Sequence, residues 1–133
     1  MCIPGYIRAA GGDVAFDGKW DMQLNCPSHQ AKTGRVAEGY KISFPVSIKN
    51  GRLEGEQLDP VPDASLRYQG LVDANGRLTI LAEGKSGNPR YTLGASPSGS
   101  PYRYSLEGQL TASDGVARRL EDRPCEARFR KVQ

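Results

Sequence analysis

The stretch FDGKWDMQLNCP, residues 16–27, alternates apolar and polar side chains, so that Trp20, Met22, Leu24 and Cys26 share one face. A period of two is the signature of a half-buried strand. Near the other end of the chain, PCEARFRKV (residues 124–132) does the same with Cys125, Ala127 and Phe129. If the two run antiparallel with Cys26 opposite Cys125, Leu24 meets Ala127, Met22 meets Phe129 and Trp20 meets Lys131. One register then satisfies both a disulfide and the apolar pattern. A first strand that pairs with the last closes a sheet on itself, which removes its exposed edges.

The sequence between these strands reads as a meander. In YKISFPVSIK, Tyr40, Ile42, Phe44, Val46 and Ile48 face one way, and Asn50-Gly51 follows as a two-residue hairpin turn. That turn sets Ile48 opposite Leu53 and Val46 opposite Gly55. A three-residue loop, Ala74 to Gly76, joins SLRYQGLV to RLTILAEG and sets Val72 opposite Leu78, Gly70 opposite Ile80 and Tyr68 opposite Ala82. RYTLGA, YRYSLEGQLTA and the closing strand complete the set, and Ser113 to Pro124 either extends the last strand or carries a bulge. The expected fold is all-β, an antiparallel up-and-down meander closed into a small barrel of about eight strands. The tight turns fall at the Trp20 end. The longer connections Ser28–Gly39, Asp59–Ala64 and Lys85–Pro89 fall at the Cys26 end, with Ser96–Pro101 as an exception at the Trp20 end.

The length of 133 residues suits one domain, expected over residues 16–132 and preceded by a tail or cloning remnant at residues 1–15. A net charge of +3 with no basic face gives no case for nucleic acid. Apolar runs are too short to insert in a membrane. MCIPGYIRAAGG lacks the apolar core of a signal peptide, so an exported protein would have lost its signal. Among three Cys, Cys26 and Cys125 have a register to pair in and Cys2 does not. A disulfide requires an oxidising compartment.

No catalytic, cofactor or metal site is expected. The single histidine, His29, lies in a loop beside Ser28, with no set of ligands around it and no third group to orient a nucleophile. Glu54 and Glu56 point outward together, and Asp73 and Asp114 read as turn residues. The basic tail RRLEDRPCEARFRK is interrupted by Glu121, Asp122 and Glu126 and reads as a salt-bridged exterior, with Arg118 and Arg119 beside its outward face. The candidate ligand contacts are Tyr40, Tyr68 and Tyr104, with Tyr102 nearby, because tyrosine offers apolar area and a hydroxyl together.

Two resemblances add to this reading. Gly18-Lys19-Trp20 at the head of the first strand resembles the start of lipocalin and avidin-like barrels. That likeness implies structural roles for Gly18 and Trp20 at a closed end, with Lys131 or Arg130 packed over the indole. The segments FDGKW, NGRLEG, DANG and RPC, spread over residues 16–132, resemble a family of small exported β-domains of Gram-negative bacteria. This implies a periplasmic or secreted accessory module with no catalytic residues to carry over; the chain is expected to be non-enzymatic, without cofactor and monomeric. Its partner would be a protein or small molecule met through the Cys26-end loops. The alternatives are a carrier of a small apolar ligand inside the barrel, and a modulator or inhibitor of a partner enzyme.

Overall fold

The structure, a computed structural model, describes residues 15–58, 65–87, 89–91, 97, 99–121 and 123–132. Its strands are β1 (Gly18–Cys26), β2 (His29–Gln30), β3 (Val36–Ala37), β4 (Tyr40–Lys49), β5 (Arg52–Leu58), β6 (Ser65–Val72), β7 (Arg77–Lys85), β8 (Pro101–Leu110), β9 (Asp114–Arg119) and β10 (Glu126–Lys131). Eight of them, β1 and β4 to β10, form a closed antiparallel barrel, and β2 pairs only with β3. Closure is made by β1 on β10 in the expected register: Trp20 opposite Lys131, Met22 opposite Phe129, Leu24 opposite Ala127. One step further, Cys26 and Cys125 are joined by a disulfide. The two hairpins also keep their expected registers, with positive φ at Asn50, Gly51 and Gly76 as those turns require.

The inward face of every barrel strand meets in a single core that runs from Phe16 and Trp20 to Cys26 and Tyr104. Trp20, Met22, Leu24, Tyr68, Leu78, Ala82, Leu106, Ala117 and Ala127 have no solvent-accessible area. A void large enough for water would give its lining side chains some accessible area, so the barrel is filled around these residues. Small inward positions make this possible. Gly55 stands opposite Val46 and Tyr68, Gly108 opposite Leu78 and Ala117, and Gly115 opposite Phe129. A Cβ on Gly55 would lie 2.4 Å from Val46 Cγ1, and one on Gly108 would lie 2.0 Å from the Val116 carbonyl oxygen. Close packing of this kind lets a narrow barrel hold a Trp and two Tyr.

Two strand assignments differ from expectation, and their consequences are linked. RYTLGA does not begin as a strand: Pro89–Tyr91 is a single 3-10 turn, and residues 92–96 lie outside the described residues. Asp114–Arg119 is instead a strand of its own, β9, between β8 and β10. One strand lost and one gained leave the number unchanged, but the direction of β8 is reversed. Lys85 therefore pairs with Pro101, and Ser86 N–H donates to the Ser100 carbonyl. The connection that includes Pro97, Gly99 and Ser100 thus belongs to the Cys26 end, not the Trp20 end. Reversal of β8 also carries Tyr102 and Tyr104 toward that end.

Candidate functional site

The Trp20 end is a floor, and the recognisable motifs explain its construction. The Trp20 indole N–H donates to the Phe16 carbonyl at 2.9 Å. The Asp17 carboxylate accepts the backbone N–H groups of Asn50 (2.8 Å) and Gly51 (3.3 Å), capping the neighbouring hairpin turn. Gly18 has φ +140°, which a side chain would oppose. In the other turn, Asp73 Oδ1 accepts from Asn75 and Arg77 N–H, both at 2.9 Å, and the Gly76 carbonyl accepts from Leu110 N–H at 2.7 Å. Lys131 pairs with Trp20 across the strands and is half-buried, whereas Arg130 is exposed.

The Cys26 end is built differently, around Arg123 of the RPC segment. Its side chain is 3% exposed. Nη1 donates to the Tyr91 carbonyl (2.5 Å), and Nη2 donates to the carbonyls of Glu38 (2.7 Å) and Pro27 (3.2 Å). One guanidinium thus ties together the end of β1, the β2–β3 excursion and the 3-10 turn. Glu38 and Arg90 add an ion pair at 2.5 Å across the same junction, and Arg35 Nη2 donates to the Pro89 carbonyl at 2.6 Å. Burial lowers the Arg123 pKa, and the charge of Arg119 adds to that effect. Because charged hydrogen bonds contribute about 1.5–3 kcal/mol, Arg123→Met is expected to cost about 2–3 kcal/mol. Amide exchange should quicken at residues 27–39 and 89–91 before it does in the barrel. Unchanged protection there would show that Arg123 does not hold these loops.

Behind the latch lies a layer of aromatic rings. Tyr68 and Tyr104 have their hydroxyls in contact, and Tyr68 donates to Gln57 Oε1 at 2.7 Å. Phe44 lies 5.1 Å from Tyr68 and Tyr102 lies 5.7 Å from Tyr104, between ring centres. Arg119 covers this layer. It is not on the exterior, as its neighbours in the basic tail suggested: β9 places it on the inward face opposite Leu106, and its side chain is 8% exposed. Its guanidinium carbon stands 4.6 Å from the Tyr104 ring centre and 5.7 Å from that of Tyr102. Nη1 donates to the Tyr102 hydroxyl at 2.9 Å. Among the described residues, Nε is buried without a hydrogen-bond partner, and Glu121 Oε1 lies 3.9 Å from it. A buried donor left unmet typically costs about 1–3 kcal/mol, and more on a charged group.

Burial pushes the pKa of both Tyr68 and Tyr104 well above that of an exposed tyrosine. The folded state therefore holds these phenolic protons more tightly than the unfolded chain. Their contribution to stability is complete below pH ~10 and is lost as the pH rises past it. We expect a steep fall in melting temperature above pH ~10, with each group adding about 1.4 kcal/mol per pH unit. Replacing both tyrosines by Phe should flatten that fall; an equal slope in the double variant would refute the assignment.

Of the tyrosines singled out from the sequence, Tyr68 and Tyr104 are buried, at 0% and 2% exposure, and Tyr40 is half-buried at the rim. The Tyr40 ring lies 6.0 Å from that of Tyr91 and 5.5 Å from the Arg123 guanidinium. Arg119 and Arg123 were not among the candidates. Asp114, read from the sequence as a turn residue, is the first residue of β9; the turn is one step earlier, at Ala112 and Ser113, with Thr111 N–H donating to the Asp114 carbonyl at 2.7 Å, and that placement sets the phase that points Arg119 inward. His29 pairs with Ala37 in the β2–β3 ladder. On the exterior, Arg118 and Arg128 both pair with Glu126, at 3.4 and 3.2 Å. A second surface lies outside β5 to β8, a shallow groove of about 570 Å³ that includes Leu71, Leu81 and Leu120; Leu71 and Leu120 are 59% and 55% exposed. No family model, curated protein or solved structure matches this chain.

Proposed function

We propose that this barrel is a non-enzymatic accessory module, exported to an oxidising compartment, that binds a small polar ligand at its Cys26 end. The observation that carries this reading is the contrast between the two ends. The Trp20 end is plugged by apolar side chains and capped turns. The Cys26 end combines half-buried Tyr40 and Tyr102 with the guanidinium groups of Arg119 and Arg123, held in place by loops latched to one another. Few polar groups converging on aromatic walls is the usual composition of a small-molecule site. A non-catalytic role fits the groups there: tyrosine and arginine are poor general bases near neutral pH, and the carboxylate beside them, Glu121, accepts the Ser105 N–H.

The disulfide supports export, since such bonds persist in oxidising compartments. No helix among the described residues is long and apolar enough to cross a membrane. The motifs FDGKW, NGRLEG, DANG and RPC support membership of the exported β-domain family, because each is used as a structural device. A carrier holding an apolar ligand inside the barrel fits less well, since side chains fill the interior from Trp20 to Tyr68. The outer groove with its exposed Leu71 and Leu120 favours one other reading, a protein partner such as an enzyme whose activity the domain modulates.

Magnetic-resonance titration of the oxidised domain with small aromatic and saccharide probes distinguishes these readings. Shifts clustered at Tyr40, Tyr91 and Tyr102 are expected. Shifts confined to the groove around Leu71 and Leu120 would move the binding surface to the exterior and replace this reading by the second.

A further inference from the structure

We propose that the Cys26-end site takes a carboxylate-bearing small molecule, seated on the Nε–Nη2 edge of Arg119 in place of the Glu121 side chain. The inference rests on the binding reading above and assigns its ligand class. It starts from an arginine that points into a barrel. A guanidinium carries five N–H donors, yet among the described residues Arg119 makes one side-chain hydrogen bond, from Nη1 to the Tyr102 hydroxyl. That bond fixes the plane of the group, and the faces of Tyr102 and Tyr104 hold it from below. The opposite edge, Nε and Nη2, is left with parallel N–H groups. Two parallel donors match the two oxygens of a carboxylate, the geometry that makes arginine a carboxylate reader.

Glu121 shows what that edge attracts. Its Oε1 lies 3.9 Å from Nε, beyond hydrogen-bond reach, because the same oxygen accepts the Ser105 N–H at 2.9 Å. It balances part of the charge without meeting the donor. The Glu121 side chain is 43% exposed, so it can turn to solvent without unpacking the core. An incoming carboxylate would then take up the Arg119 edge, and a flat group attached to it would meet Tyr102 and Tyr40 at the rim. Arg123 contributes positive charge next to the site, but its Nη atoms are committed to the three carbonyls of the latch.

The test uses benzoate and its uncharged isostere benzamide as probes of the oxidised domain, followed by magnetic resonance. Benzoate is expected to shift the Arg119 Nε–H signal and the backbone signals of Tyr102 and Glu121. Benzamide should bind at least about tenfold more weakly, equivalent to ~1.4 kcal/mol. Glu121→Gln, a change at an exposed side chain, should bind benzoate severalfold more tightly by removing the resident competitor. Arg119→Gln should abolish the preference for benzoate over benzamide. Equal affinities for the two probes at the rim would overturn the carboxylate assignment and leave the rim as a binding surface. Shifts confined to other surfaces would overturn both readings. Weaker benzoate binding by Glu121→Gln would overturn the displacement of Glu121 even if Arg119→Gln fails to fold.

Discussion

Replacing Cys26 and Cys125 together by Ala lowers the stability of the domain by up to ~4–5 kcal/mol in the chain-entropy account of a cross-link. The size follows from the separation of 99 residues between them, since a longer closed loop removes more freedom from the unfolded chain. The bond also lies where β1 meets β10, the one pairing in the barrel made between segments distant in sequence. Small domains are stable by only ~5–15 kcal/mol, so the reduced protein should unfold at a much lower denaturant concentration. Denaturant melts with and without a reductant provide the comparison. Coincident midpoints would mean that strand pairing alone closes the barrel.

Trp20→Ala is expected to cost ~3–5 kcal/mol, the range for removing a large aromatic from a packed core. Trp20 has no accessible area and packs at the base of the core. Its loss would leave a cavity that the capped turns around it cannot close, and would leave the Phe16 carbonyl without its indole donor. Trp20→Phe should recover much of the packing but not the hydrogen bond. The native indole should emit at short wavelength and resist quenching by iodide. A water-like emission spectrum, or an Ala variant that melts with the native protein, would contradict the structure at this end.

What the sequence made legible was whatever is written as alternation between short turns. Trp20 to Cys26 and Cys125 to Phe129 carry large apolar groups at every inward position, so their pairing could be read before any fold was known. β9 was hidden because its inward positions are Gly115, Ala117 and Arg119. Two are small, Gly115 opposite Phe129 and Leu110 and Ala117 opposite Ala127 and Gly108, and the third is charged, so no apolar period survives. RYTLGA misled for the opposite reason. Its local alternation is strand-like, but the Tyr91 carbonyl is claimed by Arg123 from a segment 32 residues away. The tyrosines could be found as a group because they sit in recognisable strands. The arginines above them could not, since the face that Arg119 takes depends on the phase of β9, in step with Gly115 and Ala117. Composition shows a cation; only the phase of its strand shows whether it faces water or the barrel.

β1 starts and β10 finishes at the Trp20 end, where Val132 N–H donates to the Lys19 carbonyl at 2.9 Å. The nine residues of β1 then span roughly 30 Å toward the disulfide. The described chain thus enters and leaves the barrel at the plugged floor, and the rim that carries Tyr40, Tyr102 and Arg119 stands at the far end, like the head of a stud.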